Sequence, residues 1–189
     1  MKKSSIILIA VIAVVVILAG TLIGSYNGMV DKREDVESAA ATISTYLQRR
    51  ADLIPNFVAT VKGYSDYEKE TYTAVTNARN ALQNADSVAE QNAAANQLDS
   101  AIDVWVNAVT EAYPDLEADE QYKALQDELA GSENRIATAR KDYNDTAKEY
   151  NTSIKKFPRN IFASMFGFEA YDYFEASEGA QNVPQVSFD

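Results

Sequence analysis

The sequence predicts an all-α protein: a single N-terminal transmembrane helix, followed by an antiparallel bundle of three long helices plus a short fourth helix. Three observations predict this class. One uncharged run near the N-terminus is long enough to cross a bilayer, apolar residues beyond it recur at steps of three and four, and glycine or proline separates the periodic stretches. The chain of 189 residues is expected to form one compact unit beyond the anchor.

The N-terminal run from Ile6 to Ile23 predicts a membrane anchor. Its 18 residues carry no charge, and a helix of that length rises about 27 Å, close to the ~30 Å hydrocarbon core. A cleaved signal peptide has a shorter apolar region of about 7 to 15 residues, so an uncleaved, single-pass anchor is favoured. The anchor residues singled out are Ile6, Ile9, Val14, Val16, Leu18 and Ile23.

The charges that flank this run bear on its orientation. Lys2 and Lys3 favour a cytoplasmic N-terminus, whereas Lys32 and Arg33 follow the other end. Because the positive-inside rule counts both flanks, the balance gives only a slight preference for a helical region outside the cytoplasm.

The first predicted helix continues from the anchor, because only two tolerable glycines lie between Ile23 and Val36. Gly63 suits its C-terminus, and the stretch from Ser65 to Glu68 fits a capping box that starts the second helix. The apolar residues of the first helix follow helical spacing. They are Val36, Ala40, Ile43, Leu47, Ile54, Phe57, Val58 and Val61.

The second predicted helix ends at Pro114, because proline cannot continue a helix. The stretch from Gln83 to Gln97 has few large apolar residues, which fits a loop, a fraying helix or an exposed length of continuous helix. Alanine and glutamine have high helix propensity, so the continuous helix is favoured. The core stripe of the second helix is Leu98, Ile102, Trp105, Val109 and Ala112.

The third predicted helix, from Ala118 to Phe157, has the most regular pattern, and Pro158 stops it. A short fourth helix is expected from Ile161 to Phe166. The apolar positions of the third helix alternate steps of three and four over five heptads. They are Tyr122, Leu125, Leu129, Ser132, Ile136, Ala139, Tyr143, Thr146 or Ala147, Tyr150, Ile154 and Phe157.

These elements divide the chain into an anchor over residues 1–25, a helical bundle over residues 26–168 and an extended tail over residues 169–189. The tail carries aromatic and acidic residues without a helical period. Exposed aromatic residues at this end would mark an interaction patch. The predicted patch is Phe166, Phe168, Tyr171, Tyr173 and Phe174.

The composition argues against several functions. The chain has no cysteine and no histidine, which excludes disulfides, thiolate chemistry, common zinc sites and histidine acid–base catalysis. No cofactor or metal is expected. A net charge of −11, with the basic residues scattered among acidic ones, argues against a nucleic-acid partner.

The acidic residues favour structural roles. The cluster Asp115, Glu117, Asp119 and Glu120 lacks the glycine and ligand spacing of a calcium-binding loop. It lies where acidic side chains stabilise a helix N-terminus, so capping is favoured over cation binding. Neighbouring carboxylates such as those at positions 127 and 128 point about 100° apart on a helix and predict no catalytic pair.

The stretch from Arg49 to Asn56 raises the possibility of a site. Pro55 in a helix removes a backbone donor and frees the carbonyl of Ala51, which predicts a kink or a restart at Asp52. For the two arginines an ion pair with another helix or subunit is favoured, with an anionic ligand second and catalysis last, because guanidinium is a poor proton donor. The structural or docking residues are Arg49, Arg50, Asp52, Pro55 and Asn56.

Several sequence motifs, taken together, resemble those of the LemA family. They are RRADLIPNFV, AYPDL, ENRIATARKDYND, FPRNIFASMFGF and YFEASEGA, in that order, and the likeness runs from Tyr26 to the end. The resemblance implies a membrane-anchored helical bundle without generally recognised catalytic residues. Some family members are predicted to hold the bundle in the cytoplasm, which is opposite to the preference from the flanking charges.

These features predict a non-enzymatic scaffold at the cell membrane that self-associates or docks partner proteins. The expected partners are the lipid bilayer, further copies of the chain and a membrane protein of unknown identity. The alternative is a sensor or regulatory adaptor for another membrane protein, such as a protease or a signalling complex. A hydrolytic enzyme is disfavoured, because no nucleophile–base pair or metal set can be assembled.

Overall fold

A computed structural model describes residues 3–62, 69–85 and 87–175 of the chain. Within these ranges the chain forms five α-helices, one short 3-10 helix and no strand, so the all-α prediction is confirmed for them. The helices are α1 (Lys3–Lys62), α2 (Lys69–Gln83), α3 (Val88–Ala112), α4 (Glu120–Lys155) and α5 (Arg159–Phe166), with the 3-10 helix Pro114–Ala118 between α3 and α4.

The helices form two compact units. The first unit contains the described residues up to Ala39 together with Tyr143–Tyr171, and the second contains the described residues of 40–142 together with those from Asp172. Helices α1 and α4 therefore each contribute to both units. The predicted bundle region, residues 26–168, is shared between them.

An aromatic cluster forms the centre of the second unit. The Phe57 ring of α1 lies 5.0 Å from Trp105 of α3, with the ring planes at 67°, and 5.2 Å from Tyr122 of α4. All three side chains are buried. Edge-to-face aromatic pairs at this spacing stabilise a core beyond the apolar area that they bury. Three separate helices are thus joined at one point of the core.

The apolar periodicity of α4 predicts most of its buried face. Two positions differ: Leu125 is only half-buried, and Phe157 is 81% exposed. The prediction for Phe157 is wrong because α4 ends at Lys155, so the heptad pattern no longer decides which way residue 157 faces. The buried positions are Tyr122, Leu129, Ser132, Ile136, Ala139, Tyr143, Ala147, Tyr150 and Ile154.

The second predicted helix is two helices, α2 and α3, and the expectation of continuous helix through the alanine-rich stretch is wrong. Helix α3 begins with a capping box, in which the Glu90 backbone N–H donates to Ser87 Oγ and the Ser87 N–H donates to Glu90 Oε2. This reciprocal pair satisfies two orphan donors and starts a new helix despite the high propensity of the surrounding alanines. Gly63 and the predicted capping box that follows it lie outside the described residues.

Capping also accounts for the start of α4. Asp119 Oδ1 accepts hydrogen bonds from the backbone N–H groups of Gln121 at 2.8 Å and Tyr122 at 2.9 Å. A carboxylate in this position satisfies N-terminal donors and faces the positive end of the helix dipole. Among the residues that the structure describes, no group of His, Cys, Asp and Glu could hold a metal ion.

Helix α1 continues through Pro55, so of the two alternatives the restart at Asp52 is wrong and the kink stays a prediction. The carbonyl oxygen of Ala51, which loses its usual backbone donor to the proline, accepts a hydrogen bond from Arg79 Nε of α2 at 2.9 Å. Asp52 is exposed and lies 4.0 Å from Arg79 Nη2. A guanidinium from another helix therefore replaces the donor that the sequence removes.

Replacing Arg79 with methionine is expected to lower the free energy of unfolding by about 1–3 kcal/mol, because the buried Ala51 carbonyl loses its donor. Urea unfolding of the full chain in detergent micelles would measure the change. The double variant Arg79→Met with Pro55→Ala restores a backbone N–H for this carbonyl and should recover part of the loss. No recovery in the double variant would contradict the capping role.

Candidate functional site

The two consecutive arginines of α1 face different surroundings. Arg49 is exposed and its Nη2 lies 2.8 Å from Glu128 Oε1 of α4, which also lies 3.5 Å from Arg135 Nη1. Arg50 is buried, and its Nη1 lies 2.7 Å from Asp99 Oδ1 of α3. Both arginines of the predicted site thus pair with a carboxylate of another helix.

Arg50 belongs to a charge cluster with Asp99 and Arg140, in which Arg50 is buried and the other two residues are half-buried. Burial raises the pKa of the Asp99 carboxyl above its ordinary value, although the nearby Arg50 and Arg140 guanidinium groups lower it. Burial likewise lowers the pKa of the Arg140 guanidinium, and Asp99 opposes that shift. Desolvation is therefore the dominant electrostatic effect in the cluster.

Several buried polar atoms of the cluster have no hydrogen-bond partner among the described residues. They are Arg50 Nε, Arg140 Nε, Arg140 Nη2 and Asp99 Oδ1, although Asp99 Oδ1 lies within ion-pair distance of Arg50 Nη1. The guanidinium of Arg140 instead lies 5.7 Å from the centre of the Phe174 ring, a cation–π contact with the segment after α5. Two cations and one anion within one helical unit fit a structural role.

The other residues of the predicted structural or docking set lie on the exposed side of α1. Pro55, Asn56 and Asp52 are exposed. Asp52 Oδ1 accepts a hydrogen bond from Gln48 Nε2 at 3.0 Å, and the Asn56 carbonyl accepts one from Thr60 Oγ1 at 3.1 Å. These contacts are local to α1, whereas Arg49, Arg50 and Asp52 each lie within 4.0 Å of an oppositely charged group on another helix.

In the first unit, the Asn151 side-chain amide binds the backbone of Tyr171, which follows α5. The Asn151 side chain donates to the Tyr171 carbonyl at 2.8 Å and accepts from the Tyr171 N–H at 2.9 Å. The Tyr171 hydroxyl donates to Glu37 Oε1 at 2.9 Å, and its ring packs edge-on against Tyr150 at 5.3 Å. Burial, followed by the hydrogen bond to Glu37, raises the pKa of Tyr171 to about 12.

The five residues of the predicted interaction patch differ in exposure. Phe168 and Phe174 are buried and Tyr171 is half-buried, whereas Phe166 is 45% exposed and Tyr173 is 47% exposed. Phe168 packs 5.6 Å from the Tyr26 ring of α1. Only Phe166 and Tyr173 are thus available as contact residues in this conformation.

A cleft beside α3, in the second unit, contains one of these two exposed aromatics. Its volume is about 530 Å³. Small side chains of α3 form one wall, and acidic and aromatic side chains of the C-terminal segment form the other. The lining residues are Val88, Ala89, Asn92, Ala93, Asn96, Asp172, Tyr173 and Glu175.

The anchor residues lie in the N-terminal part of α1. Ile6, Ile9, Val14, Val16, Leu18 and Ile23 are each more than half exposed. Among the described residues, α1 is the single helix that is long and apolar enough to cross a membrane, and no part of its apolar window is buried inside the protein. Exposed apolar length of this kind fits a membrane-associated protein.

Sequence reasoning missed three residues that complete these contacts: Arg79, Asp99 and Arg140. Each lies on a different helix from the residue that it contacts in α1 or the tail. Asp99 directly follows Leu98 of the core stripe, and its sequence context gives no signal for an ion pair with another helix. The proline did give a signal, because a freed carbonyl requires a donor from elsewhere in the fold.

Comparison with known proteins places the chain in a family. The LemA family matches residues 39–188, which is most of the chain. The chain belongs to the LemA family. This match confirms the resemblance to the LemA family that the sequence motifs indicate.

Curated relatives agree with this assignment. "Magnetosome protein MamQ 2" of Paramagnetospirillum magneticum is 27% identical, over 90% of this chain and 72% of the relative. "Protein LemA" of Metamycoplasma hominis is 27% identical, over 82% of this chain and 71% of the relative. "Magnetosome protein MamQ" of Magnetospirillum gryphiswaldense is 24% identical, over 88% and 71%.

Proposed function

We propose that this LemA-family chain is a membrane-anchored, non-enzymatic helical scaffold that self-associates or docks partner proteins at the cell membrane. One observation carries the proposal: α1 runs as a single helix from the exposed apolar anchor into the buried core that contains Phe57. This continuity supports an anchor that holds the helical region of the chain at the membrane.

The charged groups support a structural role. Arg50 and Arg140 interact with Asp99 in the charge cluster, and Arg49 is paired with Glu128. The sequence lacks histidine and cysteine, which removes the commonest bases and nucleophiles. The names of the relatives refer to the magnetosome or to the LemA family.

The cleft beside α3 is the docking surface that we propose for this scaffold. Its α3 wall presents the short side chains of Ala89 and Ala93, which allow close approach of another backbone, and its other wall presents the exposed Tyr173. Tyrosine is enriched in protein interfaces because its ring buries a large area with little loss of conformational entropy. A second copy or a partner helix fits such a surface.

Cysteine cross-linking in membranes tests the proposal, because the chain has no cysteine of its own. An Ala93→Cys variant treated with a short bismaleimide is expected to give a covalent dimer or a covalent complex with a partner. The matched control is Ala137→Cys, an exposed position on α4 outside the cleft. A strictly monomeric product at both positions, with no partner captured, would contradict the scaffold.

The alternative function is a sensor or regulatory adaptor for another membrane protein, and the contact at Pro55 favours it. The Arg79 guanidinium of α2 donates to the Ala51 carbonyl of α1, so loss of that contact would loosen α2 from α1. Pro55→Ala supplies a competing backbone donor. The adaptor predicts altered partner activity in this variant at unchanged helix content, and unaltered activity would count against it.

A further inference from the structure

The first unit contains an apolar surface close to the anchor that the proposed scaffold does not explain. Ile161 and Met165 are 53% and 62% exposed and lie four residues apart on α5, and Phe157, in the turn before α5, is 81% exposed. Residues four apart share one face of a helix. Exposed apolar side chains grouped on a folded unit mark a contact with a partner or a membrane.

Contacts with α1 place α5 next to the end of the anchor. The Phe166 ring lies 5.2 Å from Tyr26, which is about 5 Å beyond Ile23 along the helix axis. The Arg159 guanidinium lies so close to Gly28 that a β-carbon there would come within 3.3 Å of Nη2, and Gly28 is about 8 Å beyond Ile23.

These heights match the headgroup layer of a bilayer. The hydrocarbon core is about 30 Å thick and the whole bilayer about 40–45 Å, which leaves roughly 5–8 Å of headgroup region on each side. If Ile23 marks the edge of the hydrocarbon core, Tyr26 and Phe166 lie within the headgroup layer and Arg159 lies at its outer boundary. Tyrosine and other aromatic rings are favoured at this depth.

A cleft of the first unit that contains Arg159 has more basic than acidic residues in its lining. This cleft of about 540 Å³ has four basic and two acidic residues in its lining, although the whole chain carries a net charge of −11. Lys32 is paired with Glu149 at 2.9 Å, and Arg159 Nη1 donates to the buried Ser153 Oγ at 2.6 Å. The lining residues are Lys32, Asp145, Lys148, Glu149, Thr152, Ser153, Lys156 and Arg159.

We propose that α5 and the basic cleft together form a lipid-facing surface that binds anionic phospholipid beside the anchor. The exposed face of Ile161 and Met165, together with Phe157, enters the boundary between headgroups and acyl chains, and Lys148 and Lys156 contact lipid phosphate. Apolar insertion and attraction of basic side chains to anionic lipid act together in interfacial helices. The inference rests on the anchoring part of the proposed function.

A fluorescent probe on single cysteines tests this surface in the full chain. The positions are Met165→Cys on α5, Val14→Cys in the anchor, and Asp35→Cys, an exposed site on α1 about 18 Å beyond Ile23. Each labelled protein is reconstituted into liposomes of phosphatidylcholine, with or without 30% phosphatidylglycerol. Nitroxide-labelled lipids that quench near the headgroup or deep in the bilayer report the depth of the probe.

The expected result has three parts. The position 165 probe is quenched by shallow nitroxide, more strongly with phosphatidylglycerol; the position 14 probe is quenched by deep nitroxide; and the position 35 probe is quenched by neither. Adding Lys148→Gln and Lys156→Gln should lower the shallow quenching at position 165 at least twofold in the anionic liposomes. It should leave the signal at position 14 unchanged.

The outcomes separate this inference from the anchoring proposal. Deep quenching at position 14 with no shallow quenching at position 165 overturns the lipid-facing surface and leaves the anchor intact. Equal quenching at position 165 in neutral and anionic liposomes, insensitive to the lysine substitutions, overturns the binding of anionic lipid. Absence of deep quenching at position 14 overturns the anchor, and the inference with it.

Discussion

Replacement of Arg50 with methionine is expected to lower the free energy of unfolding by about 3 kcal/mol at neutral pH, because it leaves the Asp99 carboxylate desolvated without its nearest counter-charge. Arg50 is buried and its Nη1 lies 2.7 Å from Asp99 Oδ1. Urea unfolding of the full chain in detergent would measure the loss. The matched control, Arg49→Met, removes an exposed pair and is expected to cost about 0.5 kcal/mol.

The loss should depend on pH in a defined direction. Burial already raises the pKa of Asp99 above its ordinary value, and removal of Arg50 raises it further. Between the unfolded and the folded pKa of Asp99, the folded state binds the proton more strongly, so stability increases as the pH falls through the folded pKa. The Arg50→Met variant should therefore be closest to the parent chain in mildly acidic buffer. A deficit that grows on acidification would contradict this account.

A double variant separates the pair from its individual charges. Because desolvation is the largest effect on Asp99, replacing both partners, with Arg50→Met and Asp99→Leu together, should recover part of the loss in the single variant, the remainder arising from Arg140, which loses Asp99 as a counter-charge. Buried ion pairs replaced by apolar groups of similar volume are often neutral for stability. A double variant that is less stable than Arg50→Met alone would contradict the dominance of desolvation.

Truncation of Phe57 is expected to have the other large effect. Phe57→Ala should lower the free energy of unfolding by about 3–5 kcal/mol, because it removes a fully buried ring and leaves a cavity. The ring contacts Trp105 and Tyr122, so three helices lose packing at once. Urea unfolding, followed by the fluorescence of Trp105, would report the change.

Val104 provides the control for this truncation. It lies beside Trp105 on α3 but is 60% exposed, so Val104→Ala should change the free energy of unfolding by no more than about 0.5 kcal/mol. A Phe57→Ala loss as small as that of the control would show that the aromatic cluster does not stabilise the second unit.

Periodicity predicts the helices and most of their buried faces because burial repeats with the helical turn. It identifies the core positions of α4 from Tyr122 to Ile154. It does not extend past the end of a helix, which explains why Phe157 is exposed where the pattern predicts a core residue. The start of α3 could also be predicted from the sequence, because Ser87 and Glu90 have capping-box spacing and α3 begins directly after Ser87.

The partners of the charged residues are not predictable from the sequence in the same way. Helical periodicity indicates the face of a residue but not the helix that packs against it. Arg50 and Asp99 are far apart in sequence, and many acidic residues are available for the pairing. Likewise, Pro55 predicts that the Ala51 carbonyl lacks its usual donor, but only the packing of α2 shows that Arg79 supplies one.

The most direct test of the anchored scaffold is cysteine accessibility in cells. Val14→Cys and Ala137→Cys are each treated with a membrane-impermeant thiol reagent on intact, permeabilised and detergent-solubilised cells. We predict that position 14 reacts only in detergent, and that position 137 reacts on intact cells, as the slight preference from the flanking charges favours. Reaction at position 137 only after permeabilisation would reverse the orientation. Reaction at position 14 without detergent would contradict the anchor.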